Sequence, residues 1–279
     1  MSIDMHVHTE ESDGALSVYE VLNLASERGI QALSLTDHET THGIALARNY
    51  KDLFKLKVIP GVELVTAYQG REVHLLGYFD DSCLTHPQLQ DRLKELRLQR
   101  TALAYDMVKR LQQEGLSLKW SEVEEVANPE GTVSKGHIMH ALHNHYTKPE
   151  EVPWPLISSF FQPGGAAYLP FLGHDFTEAV DLIYACGGIP VLAHPGLLKD
   201  PKLVYQLLSQ RPIGLEVYYG YWENRETLIT EFEALGREKA ILITGGSDFH
   251  GSFSRVTLGQ IDVPLQCLEN LEKGIKSAI

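Results

Sequence analysis

The sequence predicts an α/β protein, a parallel sheet or barrel that is interrupted by a helical insertion. Short apolar strands alternate with helices over residues 2–80 and again after 168, the pattern of parallel strands joined by helical crossovers. In between, a long charged helix over 87–114 is followed by shorter helices near 121–127 and 137–145. A Pro- and Gly-rich stretch over 148–170 leads back to the strands. We therefore expect a barrel or sheet formed by 1–80 and 168–279, with a helical insertion over 81–167.

Each element of the first third has a local reason in the sequence. Residues 2–8 alternate as a strand does, and "LSVYEVLNLASERG" predicts a helix capped by Ser17 and Glu20 and ended at Gly29. "QALSLTDH" predicts the second strand, and 43–52 the second helix. "KVIPGVELVTA" and "EVHLLGYF" predict two further strands that are joined by a turn at Gln69-Gly70.

Strands and helices alternate again after the insertion, which brings the total to about seven strands. The predicted helices of this half are 177–186, 201–210, 223–236 and 264–278. The predicted strands are "GIPVLAHPG", "IGLEVYY" and "AILITGGSDFH".

Composition excludes several classes of protein. Lys and Arg number 24 and Asp and Glu 37, a net charge of −13 that disfavours stable binding to duplex DNA. No apolar run reaches the length of about 18 residues that a membrane helix needs, and no signal peptide is evident, so we expect a cytoplasmic protein without a membrane partner. The three cysteines are far apart and form no CxxC pair, which argues against disulfides and against a cysteine-rich zinc site.

Histidines and carboxylates stand at successive strand ends, where the chemistry of α/β sheets and barrels gathers. These candidate ligands are His6, His8, Asp13, His38, Glu63, His74, His194, Asp248 and His250. Each motif alone has an ordinary explanation, such as a turn residue for Asp13, but together they predict a metal site. Nitrogen and oxygen donors without thiolate suit Mn²⁺, Zn²⁺ or Fe²⁺. The set exceeds the four ligands that one zinc takes, so two or three ions are expected, with a carboxylate such as Glu63 bridging.

Six motifs resemble one family when they are taken together. "DMHVHTEESDG", "LTDHET", "GVEL", "EVHLLGYF", "AHPG" and "GSDFH" look, in this order, like the PHP (polymerase and histidinol phosphatase) metal-dependent phosphoesterases. The resemblance implies a distorted (β/α)7 TIM-like barrel with a helical cap. It implies three divalent metals, with Mn²⁺ expected first and Zn²⁺, Fe²⁺ or Mg²⁺ as alternatives. The implied ligand sets are His6, His8, Glu63 and Asp248; Asp13, His38 and His250; and Glu63, His74 and His194.

The resemblance also implies an activity. The chain is most similar to stand-alone members that act as 3′,5′-nucleoside bisphosphatases or 5′-3′ exoribonucleases. We expect hydrolysis of a phosphorylated nucleotide or a short 5′-phosphorylated RNA through a metal-bridged hydroxide. The alternatives are a histidinol-phosphate phosphatase and, in another class, an inactive metal-bound accessory module.

Residues outside the ligand set are predicted as well. The resemblance implies that Lys135 and His137 bind phosphate, and Arg255, just beyond "GSDFH", either faces the substrate or is an exposed surface arginine. For the mechanism, His194 or a metal-bound water is the candidate for proton transfer, and Asp37 is the candidate partner behind the ligands. Gly165 stands where the family often has a basic residue, so one phosphate contact is expected to be missing.

Three further features add no residue to the predicted site. Glu39 replaces a more usual Asp, with little effect expected. The histidines of "HIMHALHNHY" lack a carboxylate and predict no separate metal site. His42, His86 and His174 are expected to be ordinary surface or loop histidines.

Overall fold

The structure, a computed structural model, describes residues 2–128, 131–146, 154–251 and 255–278, and these ranges contain seven strands and ten α-helices. The strands are β1 Ser2–Val7, β2 Ile30–Leu35, β3 Lys57–Tyr68, β4 Arg71–Tyr78, β5 Ile189–Leu192, β6 Gly214–Tyr219 and β7 Ile243–Gly246. The helices are α1 Val18–Glu27, α2 His42–Ala47, α3 Pro87–Gln113, α4 Trp120–Glu124, α5 Lys135–His145, α6 Trp154–Phe160, α7 Phe176–Ala185, α8 Pro201–Gln210, α9 Arg225–Lys239 and α10 Leu265–Ala278.

The strands form one sheet in the order of the chain, and its two edges meet. A parallel bridge joins Val7 at the end of β1 to Phe249 just beyond β7, and the Asp248 amide donates to the His6 carbonyl at 2.8 Å. The sheet therefore closes into the distorted seven-stranded barrel that the sequence predicted.

The expectation of parallel strands is wrong for β4, which runs antiparallel to both β3 and β5. The cause is local. Gln69 and Gly70 form a two-residue hairpin, and both have a positive φ, 50° and 75°, as such tight turns require. The other four pairs, β1–β2, β2–β3, β5–β6 and β6–β7, are parallel.

Because β4 runs back, the chain leaves the barrel at the amino-terminal ends of the parallel strands. Helix α3 has 27 residues and is therefore about 40 Å long. It can run along the outside of the barrel to the end at which the parallel strands finish, the carboxyl-terminal rim. Its first half packs Leu89, Leu93 and Leu96 into the barrel's outer apolar layer. Its second half buries Val108 and Leu111 with α4 to α6. One helix thus belongs to both cores, and the predicted insertion boundary at residue 81 stays a prediction.

The starts of several helices follow from their caps. The Ser17 and Glu20 capping box is confirmed, with the Ser17 amide donating to Glu20 Oε2 at 2.8 Å and the Glu20 amide to Ser17 Oγ at 3.3 Å. Helix α5 begins at Lys135, two residues earlier than predicted, and Ser134 is its N-cap. The second predicted helix is shorter than expected, because α2 ends at Ala47 and a 3₁₀ turn follows over Arg48–Tyr50.

Helix α10 packs its apolar face across the end of the barrel at which the parallel strands start. Leu268, Leu271 and Ile275 share an apolar cluster with Ile3 and Ile59. This apolar cluster therefore extends from α10 into the barrel and ends below the buried polar side chains at the other end. In the part of the chain that the structure describes, no helix is long and apolar enough to cross a membrane.

Candidate metal centre

Glu63 lies at the centre of the carboxyl-terminal rim and is fully buried. Its Oε2 is 3.1 Å from both His6 Nε2 and His8 Nε2 and 3.5 Å from His38 Nδ1. Its Oε1 is 2.8 Å from His74 Nδ1 and 3.0 Å from His194 Nε2. One carboxylate thus contacts five imidazoles, which come from four different strands or the loops after them. His74 reaches the rim from the first half of β4 rather than from its end, because that strand runs the other way.

The structure brings all nine predicted ligands into one cluster. Three groups within it have ligand atoms close enough to share an ion. They are His6, His8, Glu63 and Asp248; His8, Asp13, His38 and His250; and His38, Glu63 and His74. The first group coincides with a predicted set. The second adds His8 to a predicted set, and in the third His38 stands where His194 was predicted.

Side chains behind the cluster hold its members in fixed orientations. Glu216 is fully buried and binds His6 Nδ1 at 2.9 Å and the His194 amide at 2.7 Å. The Tyr219 hydroxyl donates to Asp248 Oδ2 at 2.7 Å, and the Ser134 hydroxyl donates to Asp13 Oδ2 at 2.9 Å. Each contact fixes one atom of a candidate ligand and leaves its other polar atom turned to the cluster.

The atoms turned to the cluster include buried ones without a hydrogen bond. Asp13 Oδ1, Asp248 Oδ1 and His38 Nδ1 are buried and make no hydrogen bond of good geometry within the described residues. Their neighbours are other candidate ligands: Asp248 Oδ1 lies 3.1 Å from His8 Nε2, Asp13 Oδ1 3.4 Å from His250 Nε2, and His38 Nδ1 3.5 Å from Glu63 Oε2. A buried polar atom without a good hydrogen bond costs about 1–3 kcal/mol, so such atoms need a reason. A divalent cation satisfies two carboxylate oxygens and an imidazole nitrogen at once. The residues present therefore fit metal ions.

The charges of the cluster are strongly coupled. Burial alone lowers the pKa of His8, but the Asp248 and Glu63 carboxylates outweigh burial and raise that pKa to about 10. Burial likewise acts against His74, whose pKa Glu63 and Glu72 raise to about 9. Burial lowers the pKa of His38 well below its usual value. The nearby Glu63 and Asp13 carboxylates oppose this shift, whereas Arg100 and His8 reinforce it. Without ions, protons on histidines balance the carboxylates, and metal ions and protons compete for the same atoms.

The backbone at the rim turns sharply. Glu39, His194 and Asp248 each follow a strand and have positive φ values of 50°, 28° and 54°. Such conformations are strained for residues other than glycine, and the surrounding contacts must hold them. In a regular strand only every second side chain points to the same face. The sharp turns after the strands allow neighbouring side chains to point towards the cluster as well.

Asp37 supports the loop that carries Asp13 and does not line the cavity. Its Oδ1 accepts hydrogen bonds from the Thr9 amide at 2.7 Å and the Ser12 hydroxyl at 2.8 Å, and its Oδ2 from the Thr9 hydroxyl at 2.8 Å. Gly43 packs so closely that a Cβ there would lie 2.5 Å from Asp37 Oδ2. The structure therefore places Asp37 behind the cluster, where it holds the loop through Thr9 and Ser12.

A cavity lies over the cluster, between the barrel rim and the insertion. Lys135 and Arg100 line it as cations, and Met107, Phe161 and Phe171 contribute an apolar wall. Of the predicted substrate-binding residues, Lys135 is exposed at this cavity, whereas His137 and Arg255 do not line it. His137 is buried, and its Nδ1 accepts from the Ser134 amide at 3.1 Å as part of the α5 cap. Arg255 is exposed to solvent.

Gly165 has a structural reason to be glycine. A Cβ at this position would lie 2.2 Å from the Ser159 carbonyl oxygen and 2.5 Å from that of Phe160. These neighbours are backbone atoms, so they cannot move aside as a side chain could. A lysine or arginine therefore does not fit at 165 without a change in the 159–165 turn.

Sequence reasoning missed four residues that shape the site. Glu216, Tyr219 and Ser134 each hold a candidate ligand, and Arg100 forms a buried ion pair with Glu39. Only Glu216 carried a usable signal, since a glutamate in the middle of an apolar strand needs a buried partner. His174 lies in a loop, one of the two places expected for it, but it is buried at 1% exposure rather than on the surface.

A seven-stranded barrel with nine candidate nitrogen and oxygen ligands converging at its rim defines the class, a metal-dependent hydrolase. The PHP domain model matches residues 4–163, more than half of the chain. The chain belongs to the PHP domain family. At the level of a phosphoesterase enzyme of this family, the predicted function is confirmed.

Three curated relatives align with about 90% of the length of this chain. A phosphoribosyl 1,2-cyclic phosphate 1,2-diphosphodiesterase of Eggerthella lenta is 31% identical over 91% of this chain and 95% of its own. The 5′-3′ exoribonuclease Rnm of Escherichia coli is 29% identical over 92% and 88%. A 3′,5′-nucleoside bisphosphate phosphatase of Chromobacterium violaceum is 27% identical over 89% and 87%.

Solved structures show the same fold. An amidohydrolase from Chromobacterium violaceum, with bound sulfate and no metal, superposes with a TM-score of 0.85 at 26% identity, over 98% of this chain and 97% of that one.

Proposed function

We propose that the protein hydrolyses a phosphate ester of a nucleotide that carries a second phosphate, either a nucleoside 3′,5′-bisphosphate or a short 5′-phosphorylated RNA. The observation that supports it is the cavity. Its floor is the Glu63 cluster and its sides carry Lys135 and Arg100, so one ligand can meet the cluster and these cations together. The exoribonuclease and bisphosphate phosphatase relatives support this substrate class.

The ions would be held in three groups. His6, His8, Glu63 and Asp248 would hold the first. Asp13, His38 and His250, joined by His8, would hold the second. Glu63 and His74, with His38 or His194, would hold a third. We propose Mn²⁺, with Zn²⁺, Fe²⁺ or Mg²⁺ as alternatives. When bound, such ions neutralise phosphoryl oxygens and make water a stronger acid.

The chain's own residues would bind and orient the substrate. Lys135 is a flexible point charge and would bind the phosphate that is not hydrolysed. Arg100 would bind near it from α3. The apolar wall over Met107 and Phe161 would contact the nucleoside and limit water around the reacting group.

His194 is our candidate for holding a proton near the leaving oxygen. It lines the cavity and is 8% exposed. Its Nε2 is the atom that faces Glu63, so this nitrogen can either bind an ion or carry a proton, but not both. His194→Gln keeps a polar group without a transferable proton. A loss of kcat with unchanged metal content supports proton transfer, whereas loss of one ion per chain supports a ligand role.

One set of assays tests the proposal. The protein is purified with Mn²⁺, its metal content is measured, and kcat/KM is compared for a 3′,5′-bisphosphate, 5′-phosphorylated RNA and histidinol phosphate. We expect at least two ions per chain and a preference for the first two substrates. Fewer than two ions would refute the multinuclear site, and a preference for histidinol phosphate would refute the nucleotide assignment.

A matched pair of lysine variants tests the second phosphate. Lys135→Ala is expected to lose about tenfold more on a 3′,5′-bisphosphate than on p-nitrophenyl phosphate, since one good charged contact contributes about 1.5–3 kcal/mol. Lys109 also lies in the insertion but does not line the cavity, so Lys109→Ala is the control. Equal losses on both substrates for Lys135→Ala would remove its proposed role.

A cyclic phosphodiester is a second candidate substrate. It is favoured by the Eggerthella lenta relative, which is 31% identical and named for a phosphoribosyl 1,2-cyclic phosphate. Such a substrate carries a phosphodiester at the cluster and a separate phosphate for Lys135, so the cavity accommodates the same charge pattern. A higher kcat/KM on this compound than on bisphosphates would favour it.

A further inference from the structure

A second groove lies on the other side of Glu39 from the cavity. It is formed by the loop after β2, the start of α2 and the segment from Leu84 into α3. Its lining offers hydroxyls such as Thr41 and the side chains of His42, Arg48 and Arg97. The Gln90 side-chain amide donates to Thr41 Oγ1 and to the Leu84 carbonyl within the groove. Within the described residues no carboxylate lines it, although the chain has a net charge of −13. Two arginines and no carboxylate among the described lining residues, on a protein of net negative charge, favour an anionic ligand.

The lining groups are held by partners outside the groove. His42 Nδ1 lies 2.6 Å from the buried carboxylate of Glu11, and Arg48 Nη2 lies 2.9 Å from Asp81. The side chains of His42 and Arg48 are 51% and 41% exposed. The Arg48–Asp81 pair is solvent-exposed, and such pairs contribute at most about 1 kcal/mol, so an incoming anion can compete for the guanidinium.

The groove and the cavity are linked through one residue. The Glu39 carbonyl accepts a hydrogen bond from Arg97 Nη1 at 2.7 Å, and the Glu39 carboxylate binds Arg100. Arg97 lines the groove and Arg100 the cavity, one helical turn apart on α3. A chain of phosphates reaching beyond the cavity would therefore meet a second cationic surface close by.

We propose that this groove binds a phosphate group. Guanidinium forks beside hydroxyl donors match a phosphate's acceptor oxygens. No aromatic ring other than His42 is among the described lining residues, so the groove offers no platform for stacking a base. The phosphate belongs either to nucleotides beyond the one hydrolysed or to free phosphate in solution. The first source rests on the function proposed above, and the second does not.

Charge reversal tests the groove. Arg48→Glu is compared with Arg211→Glu, a matched control whose guanidinium pairs with Asp181 at 45% exposure and lines neither cavity nor groove. Two quantities are measured for each variant. The first is kcat/KM on a 3′,5′-bisphosphate and on 5′-phosphorylated RNAs of two to six nucleotides. The second is the binding of inorganic phosphate by calorimetry.

We expect Arg48→Glu to lose about tenfold in kcat/KM on the longer RNAs and less than twofold on the bisphosphate, while Arg211→Glu changes neither. That result assigns the groove to the RNA backbone. Loss of a phosphate-binding event in Arg48→Glu, without any length effect, assigns the groove to free phosphate. The inference is overturned if Arg48→Glu matches Arg211→Glu in both measurements. Failure of the wild type to hydrolyse any nucleotide would refute the proposed function instead, and leaves the calorimetric test intact.

Discussion

The ion pair between Glu39 and Arg100 fastens the insertion to the rim, and replacing Arg100 by leucine tests its contribution. The Glu39 side chain is 0% exposed, and its carboxylate has two donors, Arg100 and the Val65 amide at 2.7 Å. Arg100→Leu leaves a buried carboxylate with one donor. Breaking a buried pair in this way costs about 3–5 kcal/mol, and we expect this loss in the free energy of unfolding.

The loss should depend on pH in a defined direction. Burial raises the pKa of Glu39 and Arg100 opposes that effect, so without Arg100 this pKa rises further. A carboxyl with a raised folded-state pKa stabilises the fold while it is protonated, and this stability is lost as pH rises through that pKa. Arg100→Leu should therefore be more destabilised at pH 8 than at pH 5.

Urea unfolding followed by circular dichroism gives the numbers. The wild type, Arg100→Leu, Glu39→Gln and the double variant form a cycle, in which we expect the double loss to be at least about 2 kcal/mol below the sum. Arg237→Leu is the control, because its pair with Glu233 is an exposed i,i+4 contact worth about 0.5 kcal/mol. A loss below about 1 kcal/mol for Arg100→Leu, or additive effects in the cycle, would refute the reasoning.

Three further predictions follow from buried contacts. Tyr219→Phe removes the hydroxyl behind Asp248 and should weaken metal affinity or activity about 10–100-fold by titration and rate assay, whereas the exposed Tyr205→Phe should not. A chelator should abolish activity and lower Tm, and Mn²⁺ rebinding should release protons, since the pKa of His8 is about 10 and that of His74 about 9 without ions; calorimetry in two buffers that detects no proton release would contradict this. Burial lowers the pKa of His174 to about 4, whereas in the unfolded chain this side chain takes up a proton near its ordinary pKa of 6.5, so the fold loses stability as pH falls through that value. Between pH 7 and pH 5 the free energy of unfolding of the wild type should fall by about 2 kcal/mol more than that of His174→Phe. Equal losses for the two proteins in urea unfolding would exclude this role of His174.

Much of the candidate site was visible in the sequence because strand ends impose an order. In parallel strands the carboxyl ends meet at one edge, so residues as distant as His6, His194 and His250 could be placed together from the strand pattern alone. Local signals were equally informative, as the Ser17 and Glu20 capping box shows. What could be predicted was therefore either local or a consequence of the period of the strands.

The remainder depends on contacts that leave no local trace. The partner that orients His6 is Glu216, 210 residues away, and the ion pair that ties α3 to the rim joins residues 61 apart. His174 lies in a loop segment, where no strand or helix period predicts burial, yet it packs to 1% exposure. Gly165 appeared as a missing basic residue, and only the backbone of the 159–165 turn explains it.

The closing seam between β1 and the segment after β7 has a consequence for how the protein is made. Asp4 accepts from the Ser247 amide 243 residues later and from the Gly259 amide 255 residues later. During synthesis on the ribosome β1 can pair with β2 early, but its other edge stays open until the segment around 247–259 has been made. Such distant pairings make folding slow, because the intervening chain must be ordered first. Until the seam forms, His6 and His8 lack Asp248, so a nascent chain has no complete place to capture an ion and is exposed to aggregation and proteolysis.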